Sequence, residues 1–171
     1  MNHIVFQSKC QGYSHIKSDL ECQDSTLVKK TEKYAIAVVA DGHGSASYFR
    51  SSRGSLFATE AAITAIEELL ETILSDKSNM DDFCASIDKH LIQLERSVIA
   101  RWHERVEDDY SKNPFLDSEI LKVDEKHKEK YLKGERIEAA YGSTLIAVAC
   151  TDAFWFGIHI GDGKCITCDY S

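Results

Sequence analysis

The stretch Tyr34-Ala-Ile-Ala-Val-Val-Ala40-Asp41-Gly42-His43-Gly44-Ser45 decides the reading of this chain. Its first seven residues are continuously apolar and rich in β-branched side chains, as in a buried strand. The next five put a carboxylate, an imidazole and two glycines where the strand ends and a helical pattern begins. Glycine lets the backbone turn sharply and approach a ligand closely. Such tools suit a metal or a phosphate, although the same pentapeptide also serves as a plain turn with a solvated Asp and a surface His.

Working outward, Glu21-Cys22-Gln23-Asp24-Ser25 stands upstream, and Gly142-Ser143-Thr144 opens the apolar run Leu145-Ile146-Ala147-Val148-Ala149 downstream. Trp155-Phe156-Gly157-Ile158-His159-Ile160-Gly161-Asp162-Gly163 follows. In order and spacing these blocks resemble the metal-dependent protein phosphatases of type 2C, whose early motifs read Glu-Asp, Asp-Gly-His-Gly, Gly-Ser-Thr and Gly-Asp-Ser. The resemblance runs from about Cys10 to Thr167, apart from a charged insert.

The resemblance implies a protein serine/threonine phosphatase with two Mn²⁺ or Mg²⁺ ions, in which a metal-bridging hydroxide attacks phosphoserine or phosphothreonine directly. Asp41 would bridge the ions and Gly42 would offer its carbonyl. Hard oxygen donors of this kind suit both metals. His43 would be the general acid for the departing seryl or threonyl oxygen, an imidazole being the side chain most easily poised near neutral pH. Asp24 would hold metal-bound water. Gln23 stands where Glu is frequent, and its amide accepts hydrogen bonds but adds no charge. Asp162 would lie by the metals, although Asp-Gly between strands is also a common hairpin turn. Asp19 occupies the position of a phosphate-binding Arg, so His15 or Lys17 is the expected substitute.

The family's later metal carboxylates, in an Asp-Gly and an Asp-Asn block, have no counterpart here, and Asp169 lacks their context. The chain therefore reads as the N-terminal portion of a phosphatase domain, spanning 1–171. In order of expectation, the reading frame is shortened, the fragment has become a non-catalytic module binding a kinase, a phosphatase or a phosphoprotein, or a second chain completes the site.

Composition narrows the partners. With 171 residues and a net charge of −8, the chain is long enough for one core and poorly suited to nucleic acid, which is bound largely through Lys and Arg. An anionic membrane is disfavoured for the same reason, and with no apolar span or signal peptide the expected location is the cytoplasm. A phosphoprotein substrate and a cognate kinase are the expected partners. The six cysteines are read as small hydrophobes or free thiols without a function, Cys165 and Cys168 included.

The expected fold is α+β: a phosphatase 2C-like β-sandwich flanked by paired antiparallel helices, incomplete at the C-terminus. Strands are predicted over 4–9, 25–30, 34–40, 143–150 and 154–160, with a last one that begins near Lys164 and soon stops. One helix carries the stripe Phe57, Ala61, Ile66, Leu69, Leu70, Ile73 and Leu74. A second starts after Ser78-Asn79, with Asp81 and Asp82 in its first turn and the stripe Met80, Phe83, Ile87, Leu91, Leu94, Val98 and Trp102. The Lys- and Glu-rich insert 113–138 reads as a solvated helix or loop projecting from the fold. An open strand edge implies a tendency to self-associate. A serine hydrolase built on Ser45 with His43 or His159 is the competing enzyme class, but the Gly-x-Ser-x-Gly elbow is not met.

Overall fold

A computed structural model describes residues 4–17 and 20–168, the side chain of Ser14 excepted. Four strands form one antiparallel sheet in chain order: β1 (Asp24–Lys30), β2 (Tyr34–Asp41), β3 (Leu145–Thr151) and β4 (Trp155–Ile160). The helices are α1 (Tyr13–Lys17), α2 (Ser51–Ile73), α3 (Lys77–Ala85), α4 (Ile87–Lys112), α5 (Asp117–Ile120) and α6 (Glu125–Leu132). Short 3₁₀ turns at Ala46–Tyr48 and Ile137–Tyr141 lead into α2 and β3. The expected α+β architecture is present.

Strand alternation sorts the sheet into two faces. Ile36, Val38 and Ala40 of β2, Leu145, Ala147 and Ala149 of β3, and Phe156 and Ile158 of β4 are buried against the helices. From α2, Ala58, Ala61, Ala62, Ala65, Ile66, Leu70 and Ile73 fill the other side of that core. The opposite face carries Val39, Ile146, Val148, Gly157 and Trp155 in register, with Val39 and Trp155 exposed. The run 143–150, expected to be covered on both faces, is thus fully buried only at alternate residues.

Helices α2 and α4 pair antiparallel, as ion pairs Arg53–Asp109, Arg105–Glu60 and Arg101–Glu68 run in opposite senses along them. Salt bridges this exposed add little stability. The register is fixed instead by Leu94, Val98 and Val106, all buried, and by the Trp102 indole, which donates to the Gly54 carbonyl at 3.0 Å. At Gly54 a Cβ would stand 1.7 Å from the Tyr141 carbonyl oxygen, so this helix position admits only glycine.

Four local expectations are corrected. Residues 4–9 form no strand and lie beside β1, where Gln7 accepts from Thr26 and Lys9 Nζ donates to the Asp24 carbonyl. Ile4 and Phe6 are left exposed with no core to cover them, and Gln7, Ser8 and Lys9 offer no apolar face to hold a strand there. The second helix is two, because the chain breaks at Ser86 (φ −138°, ψ 38°) and Ile87 turns outward. The first of these helices begins at Lys77 behind an Asp76 cap that accepts from the Asn79 amide at 3.0 Å, so Asp81 and Asp82 lie beyond its first turn. Residues 163–168 add no last strand.

The insert is the largest departure. It does not project. Ile120, Val123 and Tyr131 are buried with Val106, Ala140 and Tyr141 in a second small core. Arg50, 5% exposed, anchors it: the guanidinium donates to both Glu119 carboxylate oxygens at 3.0 Å, to the carbonyls of Asn113 and Pro114, and to the Tyr141 hydroxyl. The spaced apolar residues of the insert were masked in the sequence by the lysines and glutamates between them.

Candidate functional site

Asp24 opens β1 and Asp41 closes β2, and the two are direct partners in the register. Opposed residues in an antiparallel pair project to one face. Their neighbours Ser25 and Ala40 are buried towards the helices, so both carboxylates belong to the helix-free face. Burial, the charge of Asp24 and a hydrogen bond with it raise the Asp41 carboxyl above its ordinary range, opposed by His43 and reinforced by Asp162. Acids crowded in this way favour a shared proton or a cation between them.

The Gly-Ser-Thr block fixes the Asp41 backbone. Thr144 N donates to the Asp41 carbonyl at 2.8 Å, and Asp41 N donates to Thr144 Oγ1 at 3.2 Å. One residue on, Gly42 N donates to the Gln23 carbonyl at 3.1 Å, tying the loop to the chain before β1. A Cβ on Gly42 would meet the Ser51 and Gln23 carbonyl oxygens at 2.7 and 2.8 Å. His43 N donates to the Gly142 carbonyl at 3.0 Å, and the exposed imidazole rests on the Tyr48 ring with centroids 4.6 Å apart. Gly142 makes room for both rings, since its Cβ would fall 2.6 Å from His43 Cδ2 and 2.8 Å from Tyr48 Cδ1. Two sequence blocks about a hundred residues apart therefore build one loop platform.

Asp162 follows Gly161, whose φ of 103° requires glycine in this turn beside Thr144. Asp24, Asp41, Asp162 and Thr144 line one open groove of about 370 Å³. Its basic lining residue is Lys9, which sequence reasoning missed, since the segment that carries it has no motif. His15 and Lys17 lie on α1 and are not among the groove's lining residues. Gln23 stays beside the site, its amide oxygen 3.6 Å from where a Gly44 Cβ would stand. Asp19 and Asp169 lie outside the described residues. Ser45 caps the 3₁₀ turn with its backbone carbonyl, which accepts from Tyr48 N at 2.9 Å.

A phosphatase 2C family model matches residues 11–170. The chain belongs to the protein phosphatase 2C family. Comparison with curated proteins and with solved structures gives no match. Membership brings a phosphatase-type function, and the family is generally metal-dependent. The donors here are of the right kind, carboxylates and a glycine carbonyl for hard cations. Among the described residues, however, no three His, Cys, Asp or Glu side chains converge as a ligand group. Asp24 and Asp41 are the paired carboxylates of this groove, and Asp162 lines it with them. No helix among the described residues is long and apolar enough to cross a membrane.

Proposed function

We propose that this phosphatase 2C family chain supplies the metal-binding and acid groups for hydrolysis of phosphoserine and phosphothreonine in proteins. The observation that carries the reading is the register pairing of Asp24 with Asp41 on the open face, with His43 two residues beyond. Asp41, Asp24 and the Gly42 carbonyl would hold Mn²⁺ or Mg²⁺, with Asp162 near a further ion. Bound divalent ions supply a nucleophile at neutral pH and neutralise charge at phosphorus. Thr144 and Ser143 keep the Asp41 carbonyl engaged, so the loop is positioned before substrate arrives. His43, held by Tyr48 and the Gly142 carbonyl, delivers a proton to the seryl oxygen as it leaves. Gln23 orients water at the carboxylates through its amide. Lys9 is better placed on the groove than His15 or Lys17 to meet the substrate phosphate.

The expected partner is a phosphoprotein, with a cognate serine/threonine kinase, in the cytoplasm. A second reading is a non-catalytic module that binds such a partner, favoured in that no three His, Cys, Asp or Glu side chains converge among the described residues. Hydrolysis of p-nitrophenyl phosphate separates the possibilities. Phosphatase chemistry predicts activity with Mn²⁺ that a chelator abolishes and Ser45→Ala leaves intact. A serine hydrolase predicts the reverse, and a folded protein without activity under either condition supports the binding module.

A further inference from the structure

A second cavity, of about 200 Å³, is lined by Ser45, Ser47 and Tyr48 together with His127, Lys130 and Arg136 of the insert. Tyr48 is thus a shared wall, touching the His43 ring and bounding this pocket. The insert supplies the far side. It is seated firmly: the Tyr131 hydroxyl donates to the Ser47 carbonyl at 2.8 Å, and Arg50 clamps the segment before α6.

The lining chemistry is that of an anion site. Lys130 and Arg136 enter no ion pair among the described residues, whereas Lys128 and Lys133 on the same segment are paired with Glu125 and Glu129. His127 Nδ1 is buried and has no hydrogen-bond partner among the described residues. Arg136 sits in the left-handed region (φ 56°), where non-glycine backbone persists only if its surroundings hold it. Asp124 is the one acidic residue of the lining. Two unpaired cations outweigh it, in a chain whose net charge is −8.

We infer that this pocket is an oxyanion site that seats a second phosphoryl group of the substrate beside the hydrolytic loop. The assignment rests on the phosphatase reading for its substrate, but not for its chemistry. A phosphoryl group brings two negative charges and three acceptor oxygens, matching Lys130, Arg136 and His127 with the hydroxyls of Ser45, Ser47 and Tyr48. A carboxylate would leave one of the two cations uncompensated.

Binding and turnover test it separately. Inorganic phosphate titrated into the metal-free chain should shift the His127 imidazole resonances, and K130A/R136A should weaken that binding roughly tenfold or more. K130R/R136K should restore it, and near-UV circular dichroism checks that the exposed substitutions leave the fold intact. With Mn²⁺, K130A/R136A should raise KM for a doubly phosphorylated peptide about tenfold and leave that for a singly phosphorylated peptide unchanged. A His127 that ignores phosphate overturns the site. Phosphate binding with an unchanged KM for the doubly phosphorylated peptide overturns the substrate assignment in favour of free phosphate. Phosphate binding in a chain that hydrolyses nothing supports the anion site while removing the enzymatic reading on which the substrate assignment rests.

Discussion

At the residue scale the site depends on which atoms the backbone leaves free. The Asp41 carbonyl and amide are both engaged by Thr144, so the side chain is held at the strand end by main-chain bonds. A ring contact with Tyr48 and a backbone bond to Gly142 hold His43, and it stands exposed, as the proposed proton donor to an outside leaving group would have to. The need for that proton depends on the leaving group. His43→Ala should lower kcat on a phosphoserine peptide by about a hundredfold and cost much less on p-nitrophenyl phosphate, whose phenolate leaves unaided. Equal losses on both substrates would assign His43 a structural role.

At the element scale the motifs were legible and the long-range geometry was not. The alternation of Phe154, Phe156, Ile158 and Ile160 announced β4, and three-to-four spacing announced α2. Asp24 and Asp41 could be named, but nothing in a single sequence states that they are opposite partners across a hairpin. The break at Ser86 escaped because the apolar stripe from Met80 to Trp102 keeps nearly helical phase through it. Asp76, the true start signal of α3, is less conspicuous in the sequence than the acids that follow. Asp76→Ala should cost about 1 kcal/mol of stability, the usual worth of such a cap, measured by urea unfolding. Asp81→Ala should cost less, since its carboxylate lies beyond the first turn.

At the scale of the whole molecule, the charged insert turned out to be structural because of one cation met from several elements. Arg50 precedes α2, Glu119 belongs to α5, Asp109 to α4 and Tyr141 to the turn before β3. Lysine-rich composition hid this arrangement, because burial of a guanidinium depends on partners far apart in sequence. Arg50→Ala would strip a buried pair of its cation and should cost about 3–5 kcal/mol. Burial pushes the Asp109 and Glu119 carboxyls up. Hydrogen bonds to Asp109 from Tyr141 and Arg53, and to Glu119 from Arg50 and the Leu116 amide, with the Arg50 charge, bring both below their ordinary range. Groups so depressed stabilise the fold above their unfolded pKa values, near 4, and that stability is lost as pH falls through the folded values. Thermal unfolding should therefore show a steeper fall in stability below about pH 4 for the native chain than for Arg50→Ala. Parallel pH profiles would dissociate the network from acid sensitivity.

In the proposed function the strand-end carboxylates form a divalent-metal centre for phosphoester hydrolysis. The measurement that meets it most directly is phosphate release from a phosphoserine peptide as Mn²⁺ is added, with the native chain and Asp41→Asn compared at equal folded concentration. The native chain should give saturable Mn²⁺-dependent release, with a loss of about a hundredfold or more in the variant, which keeps the shape of the side chain and removes its charge. Release that is indifferent to Mn²⁺, or an Asp41→Asn chain as active as the native one, would contradict it.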